Sequence, residues 1–398
     1  MSVKIFYIDR FVNYSTLFFQ YLQRAAQNYN EYKISFIGPK KKDVKNWLSD
    51  QDVADSKRIW KYNHYVYSIY NFVRKEKPHI CHFLFEVKMF GSLSASFKFP
   101  LLLLLVRLTT KTKIILTIRP IFIYEEGAKW KIIEEIIPYK IPSFLFGIIL
   151  KIFYKMICNF SHKITVEAEN IKRGLIEYYG IKPEKIKVIR FGIPTHPIKL
   201  DYTTLEKLKQ QFRNKKIILC FGLISPRKSQ DKIIMAFNKI KQKIPNHVLV
   251  IAGLTTAGEK LFEQSLHKLI KNLNLEKRVF LTGYIDDKET EALFHISEIS
   301  LYIYHPYPGA SAAIFDAIRH NKPCILSRSD TFLEMFSESD AIFVEHDNVD
   351  ELADKMLNLV TREDLRKDLQ QKMNVILNKF PMEKSASELL SLYQNILN

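Results

Sequence analysis

Short apolar runs of strand character alternate with longer runs of helical period along almost the whole chain. Val3–Ile8 reads as a strand, Tyr14–Ala26 as a helix with Ser15 as its cap, and Lys33–Ile37 as a strand closed by Gly38-Pro39. A helical stretch ending near Lys75 leads to an apolar strand at His79–Phe85, then to a Leu-rich helix. Lys113–Ile118 follows as a strand bounded by Arg119-Pro120. A helix over 141–159, a strand at Lys163–Val166, a helix at Ala168–Tyr179 and a strand at Ile186–Arg190 complete the first series, which closes at Gly192-Ile193-Pro194.

Between Pro194 and Asn214 the pattern breaks into a polar, charge-mixed connection, and a second series then begins. Lys216–Phe221 is a strand ending in Gly222, Asp231–Ile244 a helix, and Val248–Ala252 a strand ending in Gly253. A helix to about Leu275 precedes the strand Val279–Leu281, which ends at Gly283, and the helix Lys288–His295. Ile299–Tyr304 is a strand, Ala312–His320 a helix, and Cys324–Leu326 and Ala341–Phe343 are strands. Repeated βαβ units of this kind predict parallel, doubly wound sheets. The expected architecture is α/β, with two Rossmann-like domains facing a cleft: residues 1–195, then 215–379.

The length of 398 residues agrees with two domains, and 47% apolar with 13% aromatic residues excludes disorder as the main state. Cys81, Cys158, Cys220 and Cys324 lie far apart in apolar runs without metal spacing, which predicts small core side chains in a reducing compartment. The longest stretch free of Asp, Glu, Lys and Arg, Ile299–Phe315, contains Pro306, Pro308 and Gly309 and reads as strand and loop rather than a membrane span. The N-terminus enters a strand-like run without the features of a signal peptide, so the expected location is cytoplasmic.

Charge changes this picture. Of the formal net charge of +18, residues 1–200 carry 33 Lys plus Arg against 16 Asp plus Glu, whereas residues 201–398 carry 27 against 26. A first half this basic predicts contact with something anionic: nucleic acid, an acidic membrane leaflet or a phosphorylated substrate. The segment 141–160 combines Phe, Ile and Leu with Lys151 and Lys155 at i, i+4. It reads either as an interfacial helix, inserting Phe144, Leu145, Phe146 and Phe153, or as a core helix whose two Lys snorkel. Pro100–Arg107 is a second apolar run, better read as a core helix. No recognition-helix, zinc-finger or aromatic-basic motif accompanies the charge, so a nucleic-acid partner is not expected.

The residues with most chemistry lie in the second half. Phe221-Gly-Leu-Ile-Ser-Pro-Arg-Lys-Ser is a strand, a Gly turn and two cations, Arg227 and Lys228, beside a helix start. That arrangement suits a diphosphate held by backbone N–H groups and side-chain charge. In Tyr307-Pro-Gly-Ala-Ser-Ala-Ala-Ile-Phe-Asp, the small residues Gly309, Ser311 and Ala312 leave room for a phosphate, and Asp316 follows as an acceptor for ribose hydroxyls.

Together, and in this order, these two segments resemble the retaining glycosyltransferases of family 4, which have the two-domain GT-B fold. The resemblance extends through Leu249–Gly253, Val279–Tyr284, Ser300–Tyr307 and Asn321–Ile325. It implies that residues 380–398 form a helix crossing back to the N-terminal domain. It places Lys228 at the family's diphosphate-binding Lys, with Leu223 where many members carry Arg and Arg227 in substitution. Gly222, Gly253, Tyr284, His305, Gly309, Ser311, Ala312 and Asp316 complete the implied donor site. The first Glu of the family's carboxylate pair falls on Pro308, with Asp316 at the second position. In the first half, Glu86 and Arg119 stand at strand ends where relatives carry cleft residues, and they are the candidate catalytic or acceptor-holding groups.

The implied activity is transfer of a hexose-type sugar from a nucleotide diphosphate sugar to a hydroxyl of a lipid-linked or glycan acceptor, with retention. Neither a metal nor a separate cofactor is implied, the nucleotide sugar being a substrate. The acidic membrane face would be a peripheral docking site. The alternatives are a GT-B nucleotide-sugar epimerase and a non-catalytic sugar-nucleotide-binding subunit.

Overall fold

The computed structural model describes residues 2–9, 13–27, 29, 31–40, 55–61, 64–87, 89–90, 92–119, 121, 143–197, 199–305 and 311–398. The chain forms two compact units: Met1–Gly192 with Met382–Asn398, and Ile193–Tyr307 with Ser311–Pro381.

The first unit is built on a parallel sheet of β1 (Val3–Ile8), β2 (Tyr32–Pro39), β3 (Ser56–Trp60), β4 (Ile80–Phe85), β5 (Lys113–Ile118), β6 (Lys163–Val166) and β7 (Ile186–Val188), in the order β3-β2-β1-β4-β5-β6-β7. Alternate side chains serve opposite faces, as the two-residue period of a strand requires. Ile5, Tyr7, Ile34, Phe36, Ile80 and Leu84 pack with Phe18, Phe19 and Leu22 of the helix Asn13–Gln27 and with Met382, Leu390 and Tyr393 of the C-terminal helix Met382–Leu397. Phe6, Ile8, Cys81, Phe83, Ile114 and Leu116 face the other way, onto Leu102, Leu103 and Val106 of the helix Phe99–Thr109 and Phe146 and Phe153 of the helix Ser143–Phe160. β4 is buried at every position because helices cover both faces of the sheet. Its one polar residue, His82, hydrogen-bonds Tyr393 Oη at 2.7 Å and Thr117 Oγ1 at 2.6 Å, and burial holds its pKa down to about 3.

The second unit carries β8 (Lys216–Phe221), β9 (His247–Ala252), β10 (Val279–Gly283), β11 (Ser297–Tyr302), β12 (Cys324–Ser327) and β13 (Ile342–Val344) in the order β10-β9-β8-β11-β12-β13, all parallel. The chain winds outward in one direction from β8 and in the other from β11. A topological switch point therefore lies between these two central strands. Helix starts follow local chemistry: Asp286 forms a capping box with Glu289, Asp201 accepts from Thr204 N, and Asn348 accepts from Glu351 N.

Several elements depart from the sequence-based expectation. The edge strand Ser56–Trp60 stands where the alternation is too weak and charged to signal a strand, since an edge has only one partner to satisfy. The helix Tyr202–Gln211 occupies the supposed polar connection; it buries only Leu205, so it shows no apolar stripe. The helix expected from Ala312 begins at Ile314, after a turn at Ala312-Ala313. Phe146 and Phe153, expected at a membrane, are 5% exposed core residues. All four cysteines are buried and free.

Candidate functional site

At the switch point, β8 ends at Phe221 and the chain turns through Gly222, whose φ of +128° disfavours side-chain-bearing residues. A Cβ there would lie 2.4 Å from Lys228 Nζ. Gly253, at the end of neighbouring β9, has φ +151°, and a Cβ on it would come within 1.9 Å of Gly222 O. The two strand-end glycines thus let adjacent turns touch backbone to backbone, and the space above Gly222 is filled by the Lys228 ammonium.

The loop between Gly222 and Lys228 is held by Gln230, whose Nε2 donates to Leu223 O at 3.1 Å and whose Oε1 accepts from Ser225 N at 3.4 Å. Pro226–Lys228 forms a single tight turn, Ser229 takes φ +48°, and the helix Gln230–Ile240 begins. These constraints bury Lys228 to 6% exposure. Its Nζ donates to Tyr304 Oη at 3.0 Å and stands 4.6 Å from the centre of the Tyr304 ring. Ser311 Oγ donates to the same Tyr304 oxygen at 3.3 Å, and the Arg227 guanidinium lies 5.4 Å from the ring. Tyr304 therefore joins the loop after β8 to the segment after β11.

Among the described residues, no carboxylate pairs with Lys228. Burial, with Arg227 adding repulsion, pulls its pKa from 10.5 down to about 7. A desolvated cation without an anion is costly, and the arrangement gains most from a ligand that brings negative charge.

The other expected residues stand in different places. His305 joins the cluster, its N–H donating to Arg227 O at 2.9 Å. Ala312 lies in the turn opening the helix Ile314–Arg319, and Asp316 on that helix pairs with Arg319 at 3.3 Å, itself bound to Glu291 at 3.0 Å. Tyr284 is 62% exposed just after β10. Gly309 lies outside the described residues, as does Pro308. Glu86 and Arg119 belong to the first unit, at the ends of β4 and β5, where Arg119 N donates to Phe85 O at 3.1 Å.

Arg119 is more engaged than its sequence context indicated. Its guanidinium reaches Glu167 at 3.1 Å, Asp9 at 3.4 Å and Ser15 Oγ at 3.1 Å, and it lies 5.7 Å from the Phe191 ring centre. It ties together the ends of β1, β5 and β6. Burial raises the Glu167 pKa, against the opposing pull of Arg119. Sequence reasoning missed Asp9, Glu167 and Tyr304. For Tyr304 a signal existed: Tyr302 and Tyr304 share one face of a strand that runs straight toward Ser311.

Three side chains have the chemistry of metal ligands: His305, His346 and Asp347 offer donor atoms within 4.8 Å of one another. Asp347 is already paired with Lys232 and with His346, whose Nε2 is 2.9 Å away.

Structures spanning nearly the whole chain share its fold: Anabaena HepE in complex with UDP and glucose (TM-score 0.74, 14% identity, 99% of this chain and 100% of that one) and a Rickettsia africae glycosyltransferase (TM-score 0.72, 19% identity, 100% and 99%). The fold is GT-B, two parallel-sheet α/β domains. Residues 203–374, almost all of which lie in the second unit, match the family model of glycosyl transferases group 1. Curated relatives include the uncharacterized glycosyltransferase MJ1069 of Methanocaldococcus jannaschii, 24% identical over 281 residues, which are 69% of this chain and 68% of the relative. Mannosylfructose-phosphate synthase of Agrobacterium fabrum is 25% identical over 161 residues, 38% of this chain and 35% of that enzyme.

Proposed function

We propose that this protein is a retaining glycosyltransferase that takes a hexose-type sugar from a nucleotide diphosphate sugar and delivers it to a hydroxyl of a glycan or lipid-linked acceptor. The observation that carries the reading is the buried Lys228 side chain at the switch point, bonded to Tyr304 and, among the described residues, without a carboxylate. The group 1 family match over 203–374 supports sugar transfer, and the Anabaena neighbour, solved with UDP and glucose, supports a nucleoside diphosphate as leaving group.

In this reading the diphosphate lies against Lys228, Arg227 and the Ser311 hydroxyl. The bond between the anomeric carbon and the diphosphate oxygen breaks, and its electron pair stays on the diphosphate. Lys228 and Arg227 stabilise that developing charge, and the burial of Lys228 strengthens its part of the effect. The acceptor oxygen bonds to the anomeric carbon on the same face, and its proton passes to the departing phosphate oxygen. Charge neutralisation by side chains lets the transfer proceed without a metal. Asp316 serves the donor's hydroxyls, while Glu86 and Arg119 act on the acceptor side.

The test is release of nucleoside diphosphate from a panel of UDP-, GDP- and ADP-sugars, with and without glycan or lipid-linked acceptors. Acceptor-dependent release, with the anomeric configuration of the product kept, is expected. Conversion of the donor to an epimeric nucleotide sugar, with no net release of nucleoside diphosphate, identifies an epimerase instead. Nucleotide binding without turnover on any donor identifies a binding subunit.

A further inference from the structure

The helix Ser143–Phe160 has two apolar faces. Phe146, Leu150, Phe153, Tyr154 and Ile157 are buried in the core of the first unit. On the opposite side Phe144, Leu145, Ile148, Ile149, Ile152 and Met156 are between 38% and 59% exposed. Steps of four residues, 144–148–152–156, with 145 and 149 beside them, make this one continuous stripe along the helix. The adjoining helix Phe99–Thr109 exposes Leu101 and Leu108. Soluble surfaces seldom leave so long an apolar row in water without a use.

Cations border it. Lys151 and Lys155 are exposed on the edge of the stripe. At the C-terminal end of the helix, Arg107 donates to Phe160 O at 3.2 Å and Lys185 to Asn159 O at 3.3 Å. Neither residues 87–124 nor residues 136–166 contain an Asp or Glu, while together they hold ten Lys and Arg.

We infer that this face docks the first unit on an anionic bilayer leaflet, with the helix lying in the interface, the stripe in the acyl boundary and the Lys and Arg among lipid headgroups. At roughly 1.5 Å per residue the helix is about 27 Å long. Among the described residues no helix is long and apolar enough to cross a membrane. An interfacial position uses both the apolar stripe and the cationic edge. A second copy of the chain fits less well, because an isologous contact through this stripe sets Lys151 and Lys155 against their own like-charged equivalents. The inference goes beyond the transferase reading and stands whether or not that reading holds, since it concerns a different surface.

Co-sedimentation with vesicles tests it without any activity assay. Vesicles of equal parts phosphatidylglycerol and phosphatidylcholine should pellet the protein at low salt; phosphatidylcholine alone should pellet little. Binding should fall as salt approaches and passes about 0.15 M, where the screening length is about 8 Å. Lys151→Glu with Lys155→Glu should weaken binding at low salt by about tenfold or more. Ile148→Asp with Ile152→Asp, both exposed in the folded protein, should abolish the part that salt leaves behind. The wild-type comparison between anionic and neutral vesicles needs no variant, so a misfolded mutant leaves the test intact. No binding to anionic vesicles at low salt, or equal binding to neutral ones, overturns the inference. So does a wild-type dimer in analytical ultracentrifugation that Ile148→Asp with Ile152→Asp dissociates.

Discussion

The Lys228 ammonium lies 3.0 Å from Tyr304 Oη and 4.6 Å from the centre of that same ring, so one side chain offers it both a hydrogen-bond acceptor and a π face. Neither is an anion. The pair bridges the segments that follow β8 and β11, and it holds the Lys228 amine in position before any ligand arrives.

Replacing Lys228 by Met separates ligand binding from folding. A charge-assisted contact of about 1.5–3 kcal/mol is lost, so affinity for a nucleoside diphosphate should drop by about tenfold or more. Thermal stability should hold or rise, because the variant no longer buries a cation lacking a carboxylate. Calorimetric titration and a thermal melt read both effects.

The same group predicts a pH dependence. The folded protein holds the Lys228 proton less tightly than the unfolded chain, with a pKa of about 7 against 10.5. Between those values the unfolded state binds more protons, so stability should rise with pH across that window, and Lys228→Met should lack this rise. Diphosphate binding runs the other way. The anion favours the charged ammonium, so binding should take up a proton and weaken as pH climbs above about 7. Titrations in two buffers of different ionisation enthalpy measure the proton uptake.

Gly222→Ala should damage both fold and site. Left-handed strain of about 1–3 kcal/mol accompanies a Cβ that would sit 2.4 Å from Lys228 Nζ. Melting temperature and diphosphate affinity should fall together. Gly180→Ala is the control: its φ is +66° with nothing within 4 Å of the added Cβ, so it should cost stability alone.

Arg119→Met should destabilise the first unit by about 3–5 kcal/mol, since Asp9 and Glu167 would keep buried negative charge without its cation. Part of the loss should be recovered on acidification, because burial already raises the Glu167 pKa and protonation removes its charge. A denaturant titration at two pH values checks this. An unchanged stability with a raised acceptor KM would instead mark Arg119 as an acceptor-holding residue.

Much of the second unit was legible residue by residue. Its strands are short apolar runs, and three of them end in glycine at the edge where ligands approach. Lys228 and Ser311 could be singled out because each stands in a turn between a strand and a helix, where the resemblance placed donor-binding residues. The helix Tyr202–Gln211 escaped notice because a helix that buries only Leu205 carries no stripe to read.

Local pattern settled most of the strands and helices, that the sheets are parallel, and that positive charge gathers in the first half. Those properties depend on near neighbours in the chain and on composition. The partners of Arg119 depended on the parallel sheet instead, which brings Ser15 from 104 positions away and Glu167 from 48 to one strand end. The helix Ser143–Phe160 is apolar on nearly every side, so its periodicity alone gave no reason to bury Phe146 and Phe153 rather than Ile148 and Ile152. Packing against the helix Phe99–Thr109 and the sheet made that choice, because only a surface built by distant segments can select one of two apolar faces.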